Sequence, residues 1–453
     1  VLDKRIPDIR GKRWTVLGAA RSGVAVAGLL KRRGADVFLS EMAPREEKRD
    51  EAGILDKNGI PSEFGEHSKR ILDAIGIVVS PGIALSSPVM QMIEDAGIPV
   101  WSEIEVASWF CDAPMIAVTG SNGKSTTTAL MGSIFRSAGR PCVVAGNIGQ
   151  PFSDYVESVE SGGVAVLEVS SFQLETIDAF HPTVAVFLNL TPDHLDRHCT
   201  MEAYSRLKAR IFENQVASDY LVYNGLDEKV VELAEGARSE RIVFGVETDS
   251  LKCGYVHQGM LTLQIGQKPE VICSIESMSM RGDHNVSNAL AAALAARLMD
   301  TDGKAIAEAL QTYRALPHRM EFVRTVDGVD WVNDSKATNV DAVWYALGSF
   351  STPIILIAGG RDKDADFRLL RKRVAERARS VVLLGEAADK LEQALQGTCP
   401  LIHVNTLEEA VNKAREVAQP HDVVLLSPAC ASFDMFTNFE DRGDQFKALV
   451  EQL

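Results

Sequence analysis

The sequence predicts an α/β protein of three domains, each a mostly parallel sheet covered by helices. Three observations lead there. The chain has 453 residues, more than one hydrophobic core serves, so it must divide. Short apolar runs recur at Thr15-Val16-Leu17, at 115–119, 164–169, 184–190, 354–358 and 381–384, and at 423–426, each followed by a Gly-rich or polar turn and then a helical pattern. Strands that alternate with helices are joined by crossovers, which makes neighbouring strands parallel and buries both faces of the sheet. The unit of strand, glycine turn and helix restarts near residues 102 and 315 without a Pro/Ser linker, which predicts domains over 1–102, 103–315 and 316–453. Within the second, residues 254–275 (GYVHQGMLTLQIGQKPEVICSI) alternate in the manner of antiparallel strands and predict a small β excursion.

Composition narrows the class. With 46% hydrophobic and 24% charged residues the chain is ordinary globular material. A net charge of −15 argues against a nucleic-acid partner, because phosphate backbones are held by clustered Lys and Arg. It leaves room for small anions, which a few cations and backbone amides can hold. The seven cysteines form no CxxC pair and read as reduced thiols. Residues 1–11 carry no apolar signal core, and no run of about 18 apolar residues occurs. The expectation is a cytoplasmic protein with no membrane partner.

The first domain opens with VLGAARSGVAVAGLLKRRGADVFLSE, a strand, a glycine turn, a helix and a second strand ending at Glu41. Gly18 and Gly23 do not complete GxGxxG, so the pattern fits a Rossmann-like half-site for one nucleotide diphosphate better than a dehydrogenase.

The second domain opens with MIAVTGSNGKSTTTALMGSIF. Gly120, Ser121, Asn122, Gly123, Lys124, Ser125 and Thr126 stand where a phosphate loop needs them: amides and a helix N-terminus cradle phosphates, the ammonium neutralises the β and γ oxygens, and a hydroxyl meets Mg²⁺. Val118 replaces the usual first glycine, so the loop is a shortened GxxGK[ST]; the plainer alternative is a glycine turn with a helix cap. Glu168 ends a strand at the sheet edge where open α/β folds place ligands, and a carboxylate there can hold Mg²⁺. His194 in NLTPDHLDRH, read alone, is a hydrogen-bonding loop residue. Lys208 in AYSRLKARIFEN, read alone, is a solvated helix lysine, although a neutral lysine can take up CO₂ and become a carbamate. Asn147 in AGNIGQPF is either a turn residue or a ligand contact. Asn285 and Asn288 begin an Ala-rich helix, which on its own signals close packing.

Towards the third domain, LPHRME supplies His318 and Arg319, WVNDSKATNVDA supplies Asp334, Lys336 and Thr338, AGGRDKDADF supplies Lys363, and SPACASFDMFTNFEDRG supplies Ser432 and Phe439. Each follows or precedes a predicted strand, and as isolated residues they are ordinary caps and loops.

Asn-Gly-Lys-Ser-Thr-Thr-Thr after Thr-Gly-Ser resembles the nucleotide loop of the Mur ligase superfamily, which also includes the folylpolyglutamate synthetases. The resemblance runs from position 18 to position 443, with the motifs in family order. It implies a Rossmann-like first domain, a P-loop ATPase second domain and a Rossmann-like third domain. By resemblance the first holds a UDP-sugar through Gly18, Arg21, Ser22, Glu41 and the SPGI loop with Ser80 and Gly82, joined by Asn147, Ser170, Gln173 and His194. The resemblance assigns ATP to the phosphate loop with Asn285, Asn288, Arg319, Asp334 and Lys336. It assigns two Mg²⁺ ions to Ser125, Glu168, His194 and a carbamylated Lys208, and catalysis to Lys124, Glu168, His194, Lys208 and Arg319. Sister ligases carry a DYAHxP-like sequence where this chain has NDSKATN, a form similar to that of the members that add D-glutamate. His318, Thr338, Lys363, Ser432 and Phe439 then hold D-glutamate. The implied reaction joins D-glutamate to UDP-N-acetylmuramoyl-L-alanine through an acyl phosphate, by a monomer, in peptidoglycan precursor synthesis. Two alternatives stand beside it: another ligase of the superfamily such as a folylpolyglutamate synthetase, and a nucleotide-binding protein that ligates nothing.

Overall fold

The computed structural model describes residues 7–453 apart from 148, 193, 194, 199, 249, 250, 281, 314–316, 351, 363 and 364. The chain forms two compact units, one of residues 1–277 with 288–311, the other of residues 278–287 with 312–453.

The first unit contains two sheets. Strands β1 (Arg13–Leu17), β2 (Asp36–Glu41), β3 (Ser62–Phe64), β4 (Gly76–Val79) and β5 (Val100–Ser102) pair in the order β3-β2-β1-β4-β5, all parallel. Chain direction across the sheet reverses between β1 and β4, and there the carboxyl ends of a doubly wound sheet open a crevice. Trp14, Trp101 and Trp109 fill one face with ring centroids 5.4 to 5.8 Å apart. A Cβ on Gly76 would stand 2.5 Å from Trp101 and 2.8 Å from Trp14, so this cluster requires glycine at that position.

The second sheet has nine strands: β6 (Met115–Thr119), β7 (Cys142–Gly146), β8 (Val164–Glu168), β9 (Val184–Phe187), β10 (Tyr220–Asn224), β11 (Glu240–Phe244), β12 (Lys252–His257), β13 (Met260–Ile265) and β14 (Pro269–Ser274). Their order is β14-β13-β12-β11-β10-β9-β6-β8-β7, parallel except for the β12-β13-β14 meander, as the alternation over 254–275 predicts. The central strands β6, β8 and β9 are fully buried and almost wholly apolar because both faces of the sheet are covered there. Leu29 and Ile104 share one core with Phe152 and Val156, which joins the two sheets in one unit.

The second unit holds β15 (Glu321–Val326), β16 (Val329–Asn333), β17 (Ile354–Gly359), β18 (Ala378–Leu384), β19 (Leu401–His403) and β20 (Val423–Leu426) in the order β15-β16-β20-β17-β18-β19. β15 and β16 form an antiparallel hairpin and the other strand pairs are parallel, so β16, β20, β17 and β18 end at one edge. Two apolar layers flank the sheet, one with Leu347 and Leu391, the other with Trp331 and Phe446. Among the described residues no helix is long and apolar enough to cross a membrane.

Candidate active site

The phosphate loop leaves β6 and enters the helix Lys124–Ser137. Gly120 has φ +149 and Gly123 φ +84, conformations that side chains resist. A Cβ on Gly123 would also lie 2.3 Å from Asn288 Oδ1, which places the Asn288 carboxamide against the loop. Side chains from beyond β9 hold the backbone in shape. Asn189 accepts from Asn122 N at 2.8 Å and donates to Asn122 O at 3.0 Å. Buried Ser121 donates to Thr191 O at 2.9 Å and lies 3.1 Å from the Tyr204 hydroxyl. Lys124 Nζ donates to Gly120 O and Ser121 O, both at 2.8 Å.

Lys208 comes from the helix Met201–Ala209 and is 2% exposed. Its Nζ also donates to Gly120 O, at 2.8 Å, so two lysine heads share one carbonyl. Glu168, buried at the end of β8, pairs in register with Val118 and Gly146. Its Oε1 accepts from Asn147 Nδ2 at 2.8 Å and its carbonyl from Asn147 N at 2.9 Å. The Glu168 carboxylate and the buried Ser125 hydroxyl are hard oxygen donors that suit Mg²⁺. Lys208 suits a cation only with its charge inverted, as a carbamate does.

Just beyond Glu168, Ser170 and Gln173 form a reciprocal capping box on the short helix Ser171–Leu174. His198 is buried there, 3.0 Å from Ser171 Oγ and stacked on Phe172 at 5.2 Å.

At the carboxyl edge of the first sheet, Gly18 (φ +92) follows β1 and Ser80 follows β4. Ser80 Oγ donates to Gly18 O at 3.2 Å, and a Cβ on Gly23 would fall 1.9 Å from that same carbonyl. The glycine spacing therefore serves one close approach of the turn, the helix Arg21–Arg32 and the 80–83 loop. Glu41 accepts from Ala19 N at 2.5 Å and from Ala43 N at 2.8 Å, which fixes the acid at the end of β2 on the turn. Arg21, Ser22 and Gly82 lie at the surface of the same edge, Arg21 and Gly82 exposed.

In the second unit the loops after β16 and β20 are tied by Arg442, a guanidinium 2% exposed that donates to Ser335 Oγ (2.9 Å), Ser335 O (2.9 Å), Cys430 O (3.2 Å) and Ala431 O (3.4 Å). Burial lowers its pKa to about 10. Ser335 Oγ donates in turn to Phe439 O at 2.8 Å, and Ala429 N donates to Ala337 O. Lys336 Nζ stands 5.6 Å from the Phe439 ring centre, and His318 meets the same ring edge-on at 6.2 Å. His318 and Met320 both have left-handed backbones, φ 63 and 46, on either side of Arg319. Buried Asp334 accepts from Ser427 Oγ at 2.8 Å and from Met320 N at 3.2 Å. Burial raises its pKa to about 6, against the opposing pull of the Arg319 charge. Burial lowers the pKa of His318. Asn333 Nδ2 donates to His318 Nδ1 at 3.1 Å, so the proton of the neutral ring sits on Nε2.

These loops, each at the carboxyl ends of parallel strands, match known families in sequence. Residues 12–102 match the N-terminal domain of Mur ligases of MurD-like type, residues 118–296 the Mur ligase middle domain, and residues 318–430 the Mur ligase glutamate ligase domain. The chain is 48% identical to the UDP-N-acetylmuramoylalanine--D-glutamate ligase of Salinibacter ruber, over 98% of this chain and 99% of that one. It is 44% identical to the ligase of the same name from Chloroherpeton thalassium, again over 98% and 99%. The chain belongs to the Mur ligase family. The fold agrees: the structure of a UDP-N-acetylmuramate-alanine ligase from Thermotoga maritima superposes with a TM-score of 0.61 at 20% identity, over 97% of this chain and 99% of that one.

In this Mur ligase the first unit gathers Lys124, Ser125, Asn147, Glu168, Lys208 and Asn288 around one loop cluster, and Gly18, Glu41 and Ser80 around another. Asn285, His318, Arg319, Asp334, Lys336, Thr338, Ser432 and Phe439 belong to the second unit. His194 and Lys363 lie outside the described residues. Asn189, Thr191, Tyr204 and Arg442 carry much of the loop geometry and were not expected from sequence. One signal was available for Arg442, a lone arginine in the helix just after the SPACASFDMFTNF stretch.

Proposed function

We propose that this chain is an ADP-forming, ATP-dependent ligase that adds D-glutamate to UDP-N-acetylmuramoyl-L-alanine in cytoplasmic peptidoglycan precursor synthesis, acting as a monomer. The observation that carries it is full-length identity of 48% to a ligase named for that reaction. NDSKATN and its tie through Arg442 to the SPACASFDMF loop support the amino-acid end of the reading and argue against a folate-type ligase.

The L-alanine carboxylate of the UDP-sugar attacks the γ-phosphorus of ATP, ADP leaves, and an acyl phosphate remains. Lys124 takes up charge on the transferring phosphoryl group, and Arg319 adds to it. The amine of D-glutamate then attacks the acyl carbon; the tetrahedral adduct sheds inorganic phosphate and the amine proton, leaving the amide. No protein nucleophile is required. Ser125, Glu168, His194 and Lys208 as a carbamate would hold Mg²⁺, which would supply Lewis-acid stabilisation of the phosphoryl oxygens. Carbamylation of Lys208 also turns the repulsion between two ammonium groups on Gly120 O into attraction. In the first domain the Gly18 turn and the 80–83 loop hold the UDP moiety, with Arg21, Ser22, Glu41 and Gly82; Asn147, Ser170 and Gln173 meet the sugar. His318, Thr338, Lys363, Ser432 and Phe439 hold D-glutamate.

Phosphate release tests the reading, with ATP, Mg²⁺ and UDP-N-acetylmuramoyl-L-alanine in the presence of D-glutamate, L-glutamate or no amino acid. Release that needs both the UDP-sugar and D-glutamate is the expected result. Release with either alone, or with neither, overturns it.

A further inference from the structure

Arg197 lies in the helix Leu195–His198, at the end of the NLTPDHLDRH stretch, and is directed at the first sheet. Its Nη1 donates to Pro81 O at 2.7 Å and its Nη2 to Ile83 O at 3.0 Å. Nη2 also reaches Glu175 Oε2 at 2.9 Å, and the guanidinium lies over the Phe172 ring, 4.4 Å from its centre. Both side chains of the ion pair are largely buried, 16% and 9% exposed. One arginine thus spans more than 110 positions in sequence to take two carbonyls of a single four-residue loop.

The identity of those acceptors carries the argument. A loop that holds an anion through even one amide, here that of Gly82, must turn the neighbouring carbonyl oxygens elsewhere, because a carbonyl dipole facing a phosphate repels it. In the 80–83 loop, Ile83 N is spent on Ser80 O, and Ser80 itself is bound to Gly18 and Leu17. The carbonyls on either side of Gly82 are the two to which the Arg197 fork donates. A planar guanidinium can satisfy both at once, whereas a lysine ammonium on a flexible stem cannot hold them in the same geometry. Phe172, in the short helix Ser171–Leu174, and Glu175, at its C-terminal end, hold the guanidinium in place.

We infer that Arg197 is a positioning residue that, from the helix Leu195–His198, sets the 80–83 loop in the shape that accepts the UDP diphosphate. The inference rests on the proposal that the first domain holds the UDP-sugar. A merely structural tie would lower stability and weaken both nucleotides alike; a positioning role separates them.

The test uses the full chain, wild type and the variants Arg197→Lys, Arg197→Met and, as a control on an exposed i,i+4 pair, Arg206→Met. Affinity for UDP-N-acetylmuramoyl-L-alanine is measured by calorimetry, and KM for each substrate by phosphate release. Both Arg197 variants raise Kd and KM for the UDP-sugar about tenfold or more, with KM for ATP within about twofold of wild type. Free guanidinium ion at millimolar concentration recovers part of the affinity lost in Arg197→Met and none in Arg206→Met. Unchanged UDP-sugar affinity in both variants, or parallel loss for both nucleotides, overturns the positioning role alone. A wild-type chain that binds no UDP-sugar overturns the proposed function and this inference with it.

Discussion

Replacing Asp334 by Asn tests the electrostatics of the second unit. The wild-type carboxyl is buried, accepts from Ser427 Oγ and Met320 N, and has its pKa raised from 3.8 to about 6, burial outweighing the Arg319 charge. A raised pKa means that the folded state binds the proton more tightly than the unfolded state. The stability this confers is fully present below about pH 3.8 and is lost as pH rises through about 6. A shift of that size corresponds to about 3 kcal/mol. Asparagine keeps the shape: its oxygen accepts from Met320 N, and its amide can donate to Ser427 Oγ once the hydroxyl turns. It carries no titrating proton. The difference in unfolding free energy between Asp334→Asn and wild type should therefore move in favour of the variant by about 3 kcal/mol from roughly pH 4 to roughly pH 7. Urea titrations of the full chain read by tryptophan fluorescence suit the measurement, since Trp331 and Trp344 lie in the same unit. Glu103, raised to about 7 by burial, titrates in both proteins and cancels in the difference. A pH-independent difference, or one of opposite slope, would refute the reasoning.

Three further perturbations have definite outcomes. Lys208→Ala should abolish phosphate release while leaving the fold intact, and formate, acetate or propionate should restore part of it; absence of rescue in a folded variant would count against the carbamate. Gly123→Ala must hold φ near +84 with a Cβ 2.3 Å from Asn288 Oδ1, so KM for ATP should rise about tenfold for roughly 1–2 kcal/mol of strain, and adding Asn288→Ala should relieve only the contact part. Glu105, fully buried, accepts from the amides of Asp178, Ala179 and Phe180 at 2.8–2.9 Å and from the Trp109 indole at 2.7 Å. Glu105→Gln places a donor where acceptors are needed and should lower stability by about 2–4 kcal/mol in denaturant titrations, with little change in substrate KM.

What could be read in advance was local. The strands of all three sheets are short apolar runs ended by glycine or polar turns, and the phosphate loop declares itself through Gly120, Gly123 and Lys124. Parallel pairing then carries the candidate residues to the carboxyl edges, so Glu168 and Asn147 meet although 21 positions separate them. Less accessible were contacts made by one side chain on a distant backbone. Asn189, Thr191 and Tyr204 shape the phosphate loop from 67 to 83 positions away. Arg442 grips Ser335 across 107 positions, and its one local signal, a place just after the SPACASFDMFTNF stretch, does not say that it is buried. The core shared by Leu29, Ile104, Phe152 and Val156 was equally hidden, since periodicity reports which face of an element is buried and not what covers it.

Buried charge divides into two kinds here, and the division bears on function. Glu105 sits among four N–H donors, so folding alone accounts for a carboxylate at that position. Arg442 likewise meets four neutral oxygens that it holds in one arrangement, and its burial secures the two loops. Lys124 and Lys208 differ. Both heads converge on Gly120 O, which sets two ammonium groups side by side at a strand end. Such a pair becomes favourable once one lysine carries a negative carbamate, or once phosphate oxygens enter between them. On the proposed function, the phosphoryl oxygens of the substrate would enter beside Gly120 O, where both ammonium groups can meet them.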